Sequence, residues 1–240
     1  GVVCGYLEDY CARAVAEQGV MMLMVLWRKL KNQIKQFNSF SRDGLTGMEC
    51  RGKKVFVVGV GKIGREIVDL AGGLRMEVKG FDQDRSVPEL SYISLEEGIA
   101  WADVVFCSLS LTEETRALLT YEQFEKAKAG QVFINVARGE ISPIQDLQRL
   151  LDENILKGIG LDVYPRESQV AMVLRSGKQM DREMTKTICN LSQRENVIFT
   201  PHNAFNTQES LKQKAAKSVA SVMLFLEETR FPHPVPFQFL

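Results

Sequence analysis

"VVGVGKIGREIV" spans Val57–Val68 and opens as an apolar run before turning to glycine at Gly59, Gly61 and Gly64. Inside a regular element each glycine costs roughly 0.5–1 kcal/mol of backbone entropy relative to alanine, so the pattern needs a reason. A strand-like run before it and an amphipathic helix after it supply one. In that setting Gly59 allows the tight turn, Gly61 lets a pyrophosphate approach the backbone, and Gly64 lets helix and strand pack closely. Phosphate oxygens then meet free N–H groups at the helix N-terminus. The next apolar segment, "MEVKGFD", ends in Asp82, roughly 20 residues on, the offset at which a carboxylate accepts hydrogen bonds from the adenosine ribose hydroxyls. A carboxylate there also repels a 2′-phosphate, so the pattern predicts NAD rather than NADP. A methyltransferase also places an acid after its second strand, but its glycine loop usually differs.

Outward from this stretch, strands and helices alternate. "KKVFVVGV", "MEVKGF", "ADVVFCSL", "GQVFINV", "KGIGLDV" and "ENVIFT" read as strands. Between them lie "KIGREIVDLAG", "SLEEGIA", "TYEQFEKAK" and "SPIQDLQRLLDE", with Gln208–Glu227 as a closing helix. Ser94 and Glu97 form a capping box. Ser142 is expected as the next N-cap, with Pro143 at the first helical position and Gln145 completing its box. Arg166–Arg194 reads as a long irregular insertion. The strands are continuous Val/Ile/Phe runs rather than alternating ones, as expected when helices cover both faces. The expected fold is α/β, a doubly wound parallel sheet of the Rossmann type.

Tyr10–Phe37 reads as one long helix. Leu23, Leu26, Leu30, Ile34 and Phe37 recur at three- and four-residue steps, with Lys31, Asn32, Lys35 and Gln36 on the other face. Between Val20 and Trp27, "VMMLMVLW" is apolar all round. That is more than one domain face covers, so the segment is either a partner surface or a helix buried between domains of one chain.

Composition narrows the class. Lys plus Arg equals Asp plus Glu at 30 each, so no global field draws the chain to nucleic acid or an anionic membrane. The apolar run Val20–Trp27 falls far short of the roughly 20 residues a membrane span needs. No basic region precedes it and no small-residue cleavage site follows, so it does not read as a signal peptide. Cys4, Cys11, Cys50, Cys107 and Cys189 show no metal-ligand spacing and suit a reducing interior. A soluble, cytoplasmic protein without a metal site is expected.

Three later segments join the glycine loop: "FINVARGE" (133–140), "GIGLDVYPRE" (158–167) and "TPHNAF" (200–205). In this order and spacing the four motifs resemble the D-isomer-specific 2-hydroxyacid dehydrogenases, most like the D-lactate branch. The chemistry agrees with that resemblance. Arg138 lies just past a strand end, where ligands bind in such sheets. A guanidinium there can fork onto a 2-oxoacid carboxylate and polarise the neighbouring carbonyl. His202 lies past another strand end, and histidine suits proton delivery near neutral pH.

The resemblance implies further roles. Glu167 would pair with His202 and favour its charged form, and Asp162 would hold the nicotinamide carboxamide. Lys62 and Ile63 would lie on the pyrophosphate, with Leu109 and Ser110 following the fourth strand. Thr115 would reach a phosphate oxygen, and Val136 and Ala137 would flank the nicotinamide. Ser110 departs from the family, which often has proline there. A formate-type branch pairs its histidine with glutamine, whereas position 167 is an acid.

The resemblance also implies a substrate domain that contributes a glycine-containing loop to the cleft and precedes the long helix. On that reading 1–41 is a crossover and dimerisation helix, 42–204 the NAD-binding domain, and 205–240 a helix returning to a mostly missing substrate domain. The expected reaction is NADH reducing a 2-oxoacid to a D-2-hydroxyacid, in a homodimer joined through Val20–Trp27. A non-catalytic NAD sensor or corepressor on the same fold is the rival from another class.

Overall fold

The structure, a computed structural model, describes residues 3–176 and 183–235. Seven parallel strands form one sheet: β1 (Lys54–Val58), β2 (Glu77–Phe81), β3 (Ser91–Tyr92), β4 (Val104–Cys107), β5 (Gln131–Asn135), β6 (Leu156–Leu161) and β7 (Val197–Phe199). Their order across the sheet is β3-β2-β1-β4-β5-β6-β7. The chain runs outward from β1 to one edge, returns, and continues from β4 to the other. That reversal opens a crevice between β1 and β4, where doubly wound sheets bind ligands.

Register aligns the strand ends. Val58 pairs with Phe81 and Cys107, Cys107 with Asn135, Asn135 with Leu161, and Leu161 with Phe199. Every residue that follows these ends therefore emerges along one edge of the sheet.

The helices are α1 (Ala12–Trp27), α2 (Leu30–Gln36), α3 (Lys62–Gly73), α4 (Leu95–Trp101), α5 (Tyr121–Phe124), α6 (Ile144–Asp152), α7 (Glu167–Ser176), α8 (Glu183–Ser192) and α9 (Gln208–Glu228). Alternate strand residues feed two buried layers. Phe56, Val105, Phe133 and Ile159 pack with Ile99, Phe124, Leu147 and Ile188 on one face. Val55, Val57, Phe106 and Ile134 pack with Met22, Leu23 and Ile67 on the other. Burial of each such side chain contributes about 1.5–3 kcal/mol, and with both faces covered the strands carry no polar alternation. The Ser94–Glu97 capping box opens α4 as expected.

Four local expectations are corrected. The Tyr10–Phe37 helix breaks after Trp27, because Lys29 adopts a left-handed φ of 52°. The Trp27 carbonyl accepts from the Met48 N–H at 3.0 Å, so a segment some way along the chain replaces the next helical turn. Beyond the break the apolar stripe does not face the core: Ile34 is 66% and Phe37 72% exposed. Secondly, Val20, Met22, Leu23 and Trp27 are buried within the domain, leaving Met21 and Met24 as the outward members of that run.

Ser142 is not an N-cap. Pro143 holds that position without a side-chain cap bond, because the Ser142 hydroxyl accepts from Asn135 Nδ2 at 2.9 Å. Lastly, the described parts of Arg166–Arg194 are mostly helical, as α7 and α8, rather than irregular; residues 177–182 of that span lie outside the described residues.

Helix α2 buries no residue and is held by polar contacts. Lys31 Nζ donates to the carbonyls of Ser192, Arg194 and Val197 at 3.3, 2.9 and 3.0 Å. It thus closes the C-terminal end of α8 and the approach to β7. Lys31→Ala would remove a charged donor from all three carbonyls, leaving the Arg194 carbonyl with the Val197 N–H at 3.4 Å, and a destabilisation of roughly 1–3 kcal/mol is expected. Urea unfolding followed by circular dichroism checks it, with a lower midpoint and unchanged slope as the expected result.

Candidate active site

Gly59 has φ of +92°, a left-handed conformation that favours glycine. A Cβ at Gly59 would come 2.7 Å from the Leu109 backbone nitrogen, and one at Gly64 would come 2.0 Å from the Gly59 carbonyl oxygen. The turn therefore packs against both the β4 loop and its own helix. Gly61 differs, since nothing lies within 4 Å of where its Cβ would be. That bare space beside the N-terminus of α3 fits a pyrophosphate. Ser108 Oγ donates to the Gly59 carbonyl at 2.6 Å and ties the turn to β4, a contact that sequence reading missed. A small hydroxyl residue directly after an apolar strand was its only signal.

Asp82 follows β2 and reaches toward the same turn. Its Oδ2 accepts the Val60 N–H at 2.6 Å and its Oδ1 the Asp84 N–H at 2.9 Å. Lys62 and Ile63 begin α3. Ile63 packs against the core, while Lys62 Nζ pairs with Glu8 at 3.1 Å. Leu109 packs beneath the loop. Thr115 turns inward to its own loop, donating to the Ser110 carbonyl at 2.7 Å and accepting the Thr112 N–H at 2.8 Å. Cys107, buried at the end of β4, has its thiol pKa pushed up to about 12 by burial and is inert.

Past β5, β6 and β7 the structure brings the acid and the histidine together. His202 Nδ1 lies 2.6 Å from Glu167 Oε2. A carboxylate can only accept, so Nδ1 carries the proton and Nε2 is left for a reacting atom. Glu167 heads α7, and its other oxygen accepts the Tyr164 N–H at 3.1 Å. The Tyr164 hydroxyl reaches the Leu161 and Thr200 carbonyls at 3.1 and 2.9 Å, and burial raises its pKa.

His202 sits at φ of +51°, a conformation that costs a non-glycine residue roughly 1–3 kcal/mol and needs support. Asp162, 1% exposed, supplies that support. It accepts the Asn203 and Ala204 N–H groups, both at 2.9 Å, and the Thr200 hydroxyl. Sequence reading expected Asp162 to hold the nicotinamide carboxamide and missed this tie to the histidine loop.

Val136 and Ala137 are buried, and Arg138 is exposed just beyond them. Its Nη1 donates to the Ala137 carbonyl at 2.7 Å. Among the described residues it forms no ion pair within 4 Å, which leaves its charge available. A Cβ at Gly139 would fall 2.0 Å from the Tyr164 carbonyl carbon, so the Arg138 turn presses on the segment leading to Glu167.

A glycine turn with bare space at one helix N-terminus, and an acid at the end of β2, make this an NAD-binding protein of the doubly wound class. The chain belongs to the D-isomer specific 2-hydroxyacid dehydrogenase family, whose NAD binding domain matches residues 20–204. It is 31% identical to D-lactate dehydrogenase of Lactiplantibacillus plantarum, over 99% of this chain and 72% of that one. It is 26% identical to the D-specific alpha-keto acid dehydrogenase of Enterococcus faecium, over 90% of this chain and 66% of that one. The structure of D-lactate dehydrogenase from Aquifex aeolicus, complexed with NAD and lactic acid, superposes with a TM-score of 0.86 at 28% identity, covering 95% of this chain and 70% of that one. The chain thus spans about two thirds of the length of the relatives it matches.

Because Asp82 follows β2 beside the glycine turn, its Oδ2 on the Val60 N–H, NADH is expected to bind at least tenfold more tightly than NADPH, about 1.4 kcal/mol or more. Asp82→Ala is expected to narrow that gap. Calorimetric titration of both cofactors measures it, and equal affinities in the unaltered chain would remove Asp82 from the site.

Proposed function

We propose that this chain supplies the cofactor site and the proton donor of an NAD-dependent dehydrogenase that reduces a 2-oxoacid to a D-2-hydroxyacid. Lactate-like substrates are favoured by the relatives named above. The observation that carries the reading is the Glu167–His202 contact at 2.6 Å, on the edge of the sheet that also bears the glycine turn and Arg138. In the proposed roles, Arg138 grips the substrate carboxylate and polarises the adjoining carbonyl. NADH, when bound, supplies hydride to the carbonyl carbon. His202 gives its Nε2 proton to the carbonyl oxygen, and Glu167 balances the charge on the imidazolium while holding its ring in place. Gly59, Gly61, Gly64, Lys62 and Ile63 would hold the pyrophosphate, and Asp82 the adenosine ribose. Val136, Ala137 and Asp162 would hold the nicotinamide end.

In this reading residues 42–204 form the cofactor domain, while 1–41 and 205–240 lead to a substrate domain. Helix α9 supports it, since Leu211, Val219, Val222, Met223 and Leu226 are all exposed along it. Among the described residues no helix is long and apolar enough to cross a membrane. All five cysteines are free, which supports a reducing, cytoplasmic setting.

The homodimer belongs to the same proposal. Val20, Met21, Met24, Val25, Leu30 and Leu70 line an apolar groove, and Phe37 and Phe40 stand exposed beyond it. Contiguous apolar surface of this kind marks interfaces. Met24→Asp is expected to yield monomer or aggregate, as read by sedimentation velocity. A clean monomer of the unaltered chain across micromolar concentrations would exclude the dimer.

The proton donor gives the decisive test. His202→Ala is expected to lower kcat for 2-oxoacid reduction by roughly 10²–10⁴, with NADH affinity little changed. Nicotinamide absorbance with a panel of 2-oxoacids and binding by fluorescence measure the two. Tight NADH binding with no 2-oxoacid reduced by the chain, or by a form carrying the substrate domain, would favour the sensor reading.

A further inference from the structure

Asn135 closes β5 and is fully buried, yet its amide is satisfied at both ends. Oδ1 accepts the Ala137 N–H at 2.9 Å, while Nδ2 donates to the Arg138 carbonyl at 3.0 Å and to Ser142 Oγ at 2.9 Å. The first two bonds bracket Arg138, one on the residue before it and one on its own carbonyl. The third joins the start of the turn to its end. Arg138 Nη1 in turn rests on the carbonyl of Ala137, the residue whose N–H Asn135 holds.

We propose that Asn135 is the positioning residue for Arg138: its amide fixes the turn that presents the guanidinium to the substrate carboxylate. This rests on Arg138 being the substrate-binding residue of the reaction proposed above. No other side chain of this size does the same work. Aspartate lacks the donors for the Arg138 carbonyl and Ser142 Oγ, and leucine lacks both donor and acceptor. A buried amide with each end committed holds a turn with little freedom, whereas removing it takes the partner from the Ala137 N–H and Ser142 Oγ and leaves the Arg138 carbonyl with the Ile141 N–H at 3.3 Å alone. A guanidinium fork binds a carboxylate only when its two N–H vectors are aimed together, so loosening of its backbone reaches substrate binding first.

The test is a double-mutant cycle of Asn135→Ser with Arg138→Ala, read against 2-oxoacid and NADH separately. Asn135→Ser alone is expected to raise KM for the 2-oxoacid roughly tenfold or more, with kcat changed less and NADH affinity within about twofold. In the Arg138→Ala background it should have almost no further effect on kcat/KM. An equal fractional loss in both backgrounds would overturn the proposal, because a general loosening of the fold acts whether or not Arg138 is present.

Amide hydrogen exchange supplies a readout that needs no turnover. Protection of the Ala137 N–H is expected to fall in Asn135→Ser while β4 and β6 keep theirs, and unchanged protection would overturn the proposal. Should Asn135→Ser fail to fold, Ser142→Ala removes one of the three bonds, with an expected roughly two- to tenfold rise in KM. No rise there would also overturn it. If neither the chain nor a form carrying the substrate domain reduces a 2-oxoacid, the proposed activity fails, while the exchange experiment still decides whether Asn135 holds the turn.

Discussion

A side chain at position 64 would put its Cβ 2.0 Å from the Gly59 carbonyl oxygen. Everything that follows β1 depends on that atom being absent. Because helix α3 can lie against the turn, its N-terminus meets the crevice between β1 and β4, and Gly61 keeps open space beside it. The same carbonyl accepts from Ser108, so one oxygen brings together the turn after β1, helix α3 and the loop after β4. Bare backbone here is a packing requirement before it is a binding feature, and the two demands fall on different glycines.

At the far side of the sheet the constraint is electrostatic. Asp162 is a buried carboxylate, and such a group persists only when its oxygens are well supplied with donors. Two backbone N–H groups and a hydroxyl supply them, all from the loop that carries His202. The cost of burying the charge and the cost of the positive φ at His202 are met by the same bonds. Removing the acid would therefore disturb the histidine even though the two side chains share no contact of their own.

The sheet was legible because continuous apolar strands and local caps are written in adjacent residues. Ser94 and Glu97 lie one turn apart and compete with nothing else. The glycine loop, Asp82, Arg138, Glu167 and His202 were legible as types at spacings, and the register of the strands then set them along one edge. What could not be read depends on distant partners. The helix break after Trp27 comes from a carbonyl claimed by Met48. Ser142 lost its cap role to Asn135, and the aromatic stripe at Ile34 and Phe37 faces outward because that break redirects α2. The two-residue β3 carries too few positions to show any period. Thr115 and Asp162 were expected as cofactor contacts, but the bonds of Thr115 within its own loop and of Asp162 to the loop after β7 are invisible to motif matching.

The segment between β6 and β7 is pinned at both ends. Glu167 fastens its start to the Tyr164 N–H and to His202, and Lys31 fastens its end through three carbonyls. A chain held in this way can lengthen in its middle at little thermodynamic cost, since closing a loop of twice the length adds only about 0.6 kcal/mol. Insertions and deletions between the pins would leave the acid and the histidine in register. Such a change of length reaches the acid and the histidine only through α7 and α8, whose Val170 and Ile188 stay packed in the core, so the middle of the segment can diversify while the chemistry stays fixed.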